Sequence, residues 1–399
     1  MPATAQVCTS KSIDSAAAGT EAATGAIAGL AGAGPSLMLV YATADHDHDQ
    51  LLASIAKVAP GVPIVGCSGE GIIANGESDE SLAAVAVMAI ASDRIRFRSF
   101  LVEDYGRDPE AAGRQIAALV NAEGAAARCL WLMPDGLHGN CTTLLRTLHA
   151  EVTLPIPIVG GAAADGMTFE RTFQYGAGRA ISGGVAAVLV LGDADVEIAV
   201  SHGCQPIGLE RVVTKAEGGW IYEIDGKPAW SAFKEYLSDD VEDLNGEGIV
   251  HLCIGEPLRN GGSSSYDPYV IRTPLQLDKA SGSLFFPGGG LTEGGVIQLT
   301  RRDPDKIRES ARTCAEQLRG RHEGRDPDLV LQFDCAGRGR ILWGGCATAE
   351  IVAPLRKVLG PNAPWIGFHT YGEIAPIEGR PYYHNYTVAL CALYEQDTA

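Results

Sequence analysis

The apolar positions of this chain fall into short runs that return in a fixed order. Strand-like runs appear as "SLMLVYATA" from Ser36, "RCLWLMPDG" from Arg128 and "DLVLQFDCA" from Asp328. Each is followed by apolar residues at helical spacing: Leu51, Leu52, Ile55 and Val58 in the first case, Leu144, Leu145, Leu148 and Val152 in the second. The third has Ile351, Leu355 and Val358 with Pro354 among them, which predicts a helix that starts or kinks at the proline. A recurring phrase comes next, as "PIVGCSGEGII" from Pro63, "PIVGGAAADGM" from Pro157 and "PWIGFHTYGEI" from Pro364. Each copy has a proline, two apolar residues, a glycine and then a small-residue turn.

A further β-run closes each copy: "LAAVAVMAI" from Leu82, "GGVAAVLVLG" from Gly183 and "YTVALCALYE" from Tyr386. These runs lack clean alternation, as expected of strands buried on both faces. The order strand, helix, strand, hairpin, strand predicts an α/β fold of mixed β-sheets, with a parallel βαβ step and an antiparallel return. The first two copies lie in residues 1–220 and the third closes 221–399, two pseudo-repeated halves meeting near "KAEGGWIYEIDGKPA". Between them "GIVHLCIGEP", "PYVIRTPLQL", "GSLFFPGG" and "GGVIQLTRRD" read as strands of a diverged partner.

Composition narrows the function classes. A formal charge of −18 over 399 residues argues against nucleic acid or an anionic membrane surface as partner. Arg301 and Arg302 are the nearest approach to a basic cluster, and Asp303 and Asp305 follow at once. Ten cysteines without CxxC pairs sit mostly in apolar runs, which reads as buried thiols in a reducing, cytoplasmic compartment. No signal peptide is evident, and the nearly uncharged stretch Gly25 to Ala44 reads as a helix end, a turn and a strand.

The phrases "LVYATADHDHDQLLASIAKVAPGVPIVGCSGEGII", "GGAAADGMTF", "FDCAGRGRILWGG" and "IGFHTYGEIAP" followed by "HNYTVALCAL" resemble the FIST family, its FIST N and FIST C domains in the expected order. The resemblance implies a bacterial sensory protein that binds a small molecule and signals through a partner, such as a histidine kinase or a cyclic-di-GMP enzyme. One branch of similar architecture binds haem and responds to nitric oxide. This chain shows no kinase, receiver or cyclase signature of its own, so the output is expected on the partner.

The motif "FDCAGRGR" sets Cys335, Arg338 and Arg340 at a strand end, where α/β sheets commonly line ligand clefts. The Arg338 guanidinium either pairs with an anionic ligand or with a protein carboxylate such as Glu373. "HTYGEIAP" places His369, Tyr371 and Glu373 around a turn, with His384 and Asn385 on the returning strand, and the two stretches can face each other at the mouth of a small-molecule pocket. The ligand-binding set expected on these grounds is Cys335, Arg338, Tyr371, Glu373 and Asn385. If haem is bound, His251 and His202, beside apolar runs, are the axial candidates.

Other motifs point less far. "GCSGEG" misses the hydrolase G-x-S-x-G spacing by one residue and precedes a hairpin, so Cys67 and Ser68 read as a structural turn. A thiol or serine hydrolase is the remaining alternative, without a convincing nucleophile–base pair. The acidic residues of "ADHDHDQ" suit a helix N-terminus better than a metal site, and no metal is expected. "PGGGLTEGG" reads as a hairpin loop.

Overall fold

The computed structural model describes residues 3–244, 252–258 and 268–396. One series of elements occurs in it three times. The first unit comprises β1 (Thr4–Ser10), α1 (Ser15–Ala28), β2 (Leu37–Thr43), α2 (His48–Val58), β3 (Ile64–Gly69), the hairpin β4 (Gly71–Ala74) and β5 (Glu77–Asp79), and β6 (Val85–Ala91). The second repeats it as β7 (Ile95–Val102), α3 (Pro109–Glu123), β8 (Ala127–Pro134), α4 (Cys141–Glu151), β9 (Ile158–Gly161), the hairpin β10 (Gln174–Gly176) and β11 (Arg179–Ile181), and β12 (Val185–Gly192).

The third unit opens with β13 (Ala194–Ser201) and is then interrupted. The insertion contains β14 (Cys204–Glu217), β15 (Trp220–Ile224), β16 (Lys227–Pro228), α5 (Ala229–Lys234), β17 (Leu252–Pro257), β18 (Tyr269–Arg272), β19 (Gln276–Asp278), β20 (Ser283–Phe285) and β21 (Val296–Arg302). The unit resumes with α6 (Pro304–Arg321), β22 (Leu329–Cys335), a short α7 (Arg340–Trp343) and α8 (Ala353–Leu359). It ends with β23 (Trp365–Thr370), the hairpin β24 (Glu373–Ile377) and β25 (Arg380–His384), and β26 (Val388–Glu395).

The three units exchange their hairpins in a closed cycle. The sheets run β1-β6-β2-β3-β10-β11, β7-β12-β8-β9-β24-β25 and β13-β26-β22-β23-β4-β5. The first sheet therefore carries the second unit's hairpin, the second carries the third's and the third carries the first's. In each sheet the two central strands pair in parallel, and every other pairing is antiparallel. The insertion is a fourth, wholly antiparallel sheet; it is what the strands between the sequence copies form.

Period-two alternation decides which side chain enters which core. Leu37, Leu39 and Tyr41 of β2, Cys129, Trp131 and Met133 of β8, and Leu329, Leu331 and Phe333 of β22 meet in one central core. Their neighbours Met38 and Val40, Leu130 and Leu132, and Val330 face outward under the helix pairs of their own units. Both faces are thus buried, which is why these strands read as unbroken apolar runs.

The glycine of the recurring phrase has a steric cause. In the parallel ladders Gly66 lies opposite Val40, Gly160 opposite Leu132 and Gly367 opposite Gln332. A Cβ at these glycines would sit 1.7, 1.8 and 1.9 Å from the carbonyl oxygens of those partners.

The mixed α/β fold is the one expected. The stretch Gly25 to Ala44 holds the end of α1, a turn and β2, and no described helix is long and apolar enough to cross a membrane. Pro354 stands in the first turn of α8, directly after a π-helical turn at Thr348–Val352. Asp47 caps α2 by accepting from the Gln50 amide.

Candidate functional site

The C-terminal ends of β22 and β23 open against the β9–β10 loop and the inserted sheet. Together they line a half-open chamber of about 160 Å³. Cys335, Ala336 and Gly337 come from the end of β22, Thr370 and Tyr371 from the end of β23, and Asn385 and Tyr386 from the turn after β25. The insertion contributes Leu252, Thr273, Pro274 and Leu275, and Met167, Phe169 and Ile341 form the rim. Most of the lining is apolar, with a few hydroxyl and amide groups among it, the usual makeup of a small-molecule site.

Tyr371 organises the rim. Its phenol donates to Asp165 Oδ1 (2.5 Å) and accepts from the Met167 amide (2.9 Å), while Phe169 stacks on its ring at 5.3 Å. The buried Asp165 carboxylate also accepts from the amides of Phe169, Glu170 and Arg171 and from Thr168 Oγ1. Burial pushes this carboxyl up, but the bonds from Tyr371, Thr168, Arg171 and Glu170 outweigh it and hold it below the ordinary Asp value. Met167 and Phe169 adopt left-handed backbone conformations, φ 59° and 54°, and both remain exposed. Such strain in non-glycine residues persists where the surroundings over-determine it.

The residues expected from sequence separate into two groups. Cys335, Tyr371 and Asn385 line the chamber. Asn385 also ties the insertion to the core: its amide nitrogen donates to the Tyr371 carbonyl (3.2 Å) and its oxygen accepts from the Thr273 amide (3.2 Å). The Cys335 thiol is pushed well up by burial, so it is a packing group of the wall more than a nucleophile.

Arg338 and Glu373 lie behind the wall. Arg338 is fully buried, its Nε on Asp334 Oδ1 (2.8 Å) and its Nη1 on the His202 carbonyl (3.3 Å). The protein carboxylate it meets is thus Asp334, four positions earlier, and not Glu373. Glu373 does face His384 across the β24–β25 hairpin. Its carboxyl accepts from Thr370 Oγ1, from Thr387 Oγ1 (2.7 Å) and from the Thr387 amide (3.1 Å). Burial pushes it up to about 8, so near neutral pH it is mostly an uncharged acid holding three chain segments together.

Three features of the site were not read from the sequence. Thr273 sits in the chamber wall with a buried hydroxyl that has no partner among the described residues. The rim residues Met167 and Phe169 are brought there by an irregular loop. Glu70, at the end of β3, is buried with Oε2 unpartnered and is pushed up to about 7, by burial first and by Glu80 second, against the pull of Arg340. Its charge acts on Tyr371, across the unit boundary.

Ser68 donates to the Ala164 carbonyl (2.7 Å) and accepts from the Phe173 amide (2.9 Å). It thereby pins the second unit's loop to β3, as a structural turn does. His369 is buried against Ser78 Oγ (2.8 Å). Among the described residues no group of three or more His, Cys, Asp or Glu side chains is arranged to hold a metal.

Of the haem candidates, His251 lies outside the described residues. His202 does not fit an axial role: it is fully buried, its Nδ1 accepts from the Cys204 amide (2.8 Å), and it is not among the chamber's lining residues. The chamber, at about 160 Å³, is also below the ~300–1,000 Å³ usual for drug-sized ligands.

The described chain is thus built of three hairpin-exchanging α/β units, with a chamber at the strand ends of the third. The chain belongs to the FIST family of sensory signal-transduction proteins: the FIST N domain matches residues 36–227 and the FIST C domain residues 229–376. An uncharacterised protein of Mycobacterium bovis is 29% identical over 98% of both chains. An uncharacterised protein of Methanocaldococcus jannaschii is 26% identical over 52% of this chain and 42% of its own. A chorismatase crystal structure aligns over 99% of both chains with a TM-score of 0.39 and 12% identity, which assigns neither fold nor activity.

Proposed function

We propose that this protein is a sensory binding module, not a catalyst, which takes a small molecule into the chamber and passes the signal to a partner such as a histidine kinase or a cyclic-di-GMP enzyme. The observation that carries the reading is the chamber itself, an apolar cavity at strand ends with the unpartnered Thr273 hydroxyl in its wall. Its walls come from the second unit's loop, the third unit's strand ends and the insertion. A ligand that prefers one arrangement of these three parts shifts their equilibrium, and only such differential affinity transmits a signal. The rim of Met167, Phe169 and Ile341, apolar and exposed, is where that shift reaches the surface.

Melting of the purified protein against a panel of small metabolites tests this. Ligand at a hundred times its Kd stabilises the native state by about 2.7 kcal/mol, and a chamber ligand is expected to raise the melting temperature accordingly. Absence of any stabilising compound, or substrate turnover by the unmodified protein, removes the reading.

A further inference from the structure

Three buried arginines adjoin residues of the chamber wall: Arg272 beside Thr273, Arg338 beside Gly337, and Arg302 against Gly337 and Tyr386. Their carboxylate partners among the described residues number two. Arg272 pairs with Glu256 (3.0 Å) and Arg338 with Asp334 (2.8 Å). Arg302, the last residue of β21, is 3% exposed and has no carboxylate partner among the described residues. Its Nη1 donates to the Gly337 carbonyl, and its guanidinium carbon stands 4.3 Å from the centre of the Tyr386 ring. Gly337 and Tyr386 are both chamber wall. A Cβ placed on Gly337 would lie 3.3 Å from Arg302 Nη1, so one backbone unit separates the cation from the chamber.

The two guanidinium nitrogens left over are Nε and Nη2, both buried and without a hydrogen-bond partner. They form one edge of the planar fork, the edge that holds the two oxygens of a carboxylate in parallel bonds. A buried cation with an empty bidentate edge is costly to maintain without a counter-charge. Its other neighbours are the thiols of Cys204, Cys253 and Cys335 and the phenol of Tyr386. Burial pushes the Cys253 thiol up, but the hydrogen bonds from Cys204 and Thr300 and the nearby Arg302 outweigh it and hold it below its ordinary value. Tyr386 has a left-handed backbone, φ 53°, the kind of strained conformation that clusters at ligand clamps and switch regions.

We infer that the chamber selects a small monocarboxylate with an apolar body, whose carboxylate seats on the Nε–Nη2 edge of Arg302 as Tyr386 moves aside. The inference rests on the chamber being a ligand site and adds the ligand's charge class and the residue that reads it. Thr273, across the wall, is the second polar contact available to such a ligand.

The test uses straight and branched monocarboxylates of three to seven carbons and their primary amides, at constant ionic strength, on the full chain. Affinity is read from concentration-dependent melting shifts. At least one acid is expected to bind ten times or more tightly than its amide. Arg302→Met should erase that preference, and Arg302→Lys, which keeps the charge without the fork, should reduce it and serves if the Met variant does not fold. Equal binding of acid and amide, or an acid preference that survives Arg302→Met, overturns the inference and leaves the chamber reading standing. Binding of neutral metabolites with no acid bound does the same. If nothing binds, both fall.

Discussion

The phenol of Tyr371 meets the carboxylate of Asp165 at 2.5 Å, across 206 positions of chain and from the third unit to the second. This contact closes the chamber's rim, because the same carboxylate folds the loop carrying Met167 and Phe169. Hydrogen bonds to a charged group contribute about 1.5–3 kcal/mol. Tyr371→Phe is therefore expected to lower unfolding free energy by that order, read by urea titration, and to make the 165–171 loop a preferred site of limited proteolysis. An unchanged urea midpoint would show that the contact does not hold the rim.

The phrase glycines are predicted to tolerate no side chain. Alanine at Gly66, Gly160 or Gly367 drives its Cβ into a backbone carbonyl of the neighbouring strand, and a backbone atom cannot swing away as a side chain can. Overpacking typically costs about 1–3 kcal/mol, and a clash with backbone belongs at or above the upper end. Soluble yield and melting temperature of the three single variants check this; a variant that melts like the wild type contradicts it.

Arg338 is expected to matter for stability before ligand recognition. Removing one partner of a buried ion pair costs about 3–5 kcal/mol because the other charge is stranded. Asp334→Ala should therefore destabilise at least as much as Arg338→Ala, and the double variant less than their sum. A double-variant cycle that shows simple additivity would mean that the pair contributes nothing jointly.

The buried acids set a pH dependence of definite sign. Glu70 and Glu373 are raised to about 7 and about 8 in the folded chain, chiefly by burial. Each binds its proton more tightly folded than unfolded, so its contribution is fully present below the ordinary Glu value and is lost as pH rises through 7 and 8. His48, His202 and His384, lowered by burial to about 4, 3 and 3, act the other way: their contribution is present above the ordinary His value and is lost as pH falls below it. Comparison with Glu70→Gln and Glu373→Gln isolates the carboxyl part. The difference in melting temperature between wild type and each Gln variant should move against the wild type between pH 5 and 8; a flat difference would mean that the acids are ordinary.

The repeated unit was legible because burial on both sheet faces leaves apolar runs, and because one close strand approach writes a glycine into each copy. The hairpin exchange was not, since β4, β10 and β24 pair with strands of other units and no local pattern names a distant partner. The insertion looked like a diverged copy because antiparallel strands carry the same apolar signal. Strand-end logic pointed to Cys335, Tyr371 and Asn385, which line the chamber. It left Arg338 open between a ligand and a protein carboxylate and named Glu373, whereas the carboxylate it meets is Asp334 near the end of β22. It passed over Arg302 because Asp303 and Asp305 follow. Asp303 is in fact spent capping α6. Alternation along β21 gave no signal for Arg302: the buried Ile297 and Leu299 set a parity that would turn Arg301 inward, whereas Thr300 and Arg302 are buried on the other face.

The central claim is that ligand enters the chamber between the second unit's loop, the third unit's strand ends and the insertion. A crystal structure of the protein with any compound that raises its melting temperature tests this most directly. The account predicts ligand density in contact with Thr273, Cys335 and Tyr371; density elsewhere on the molecule, with the chamber closed, would contradict it.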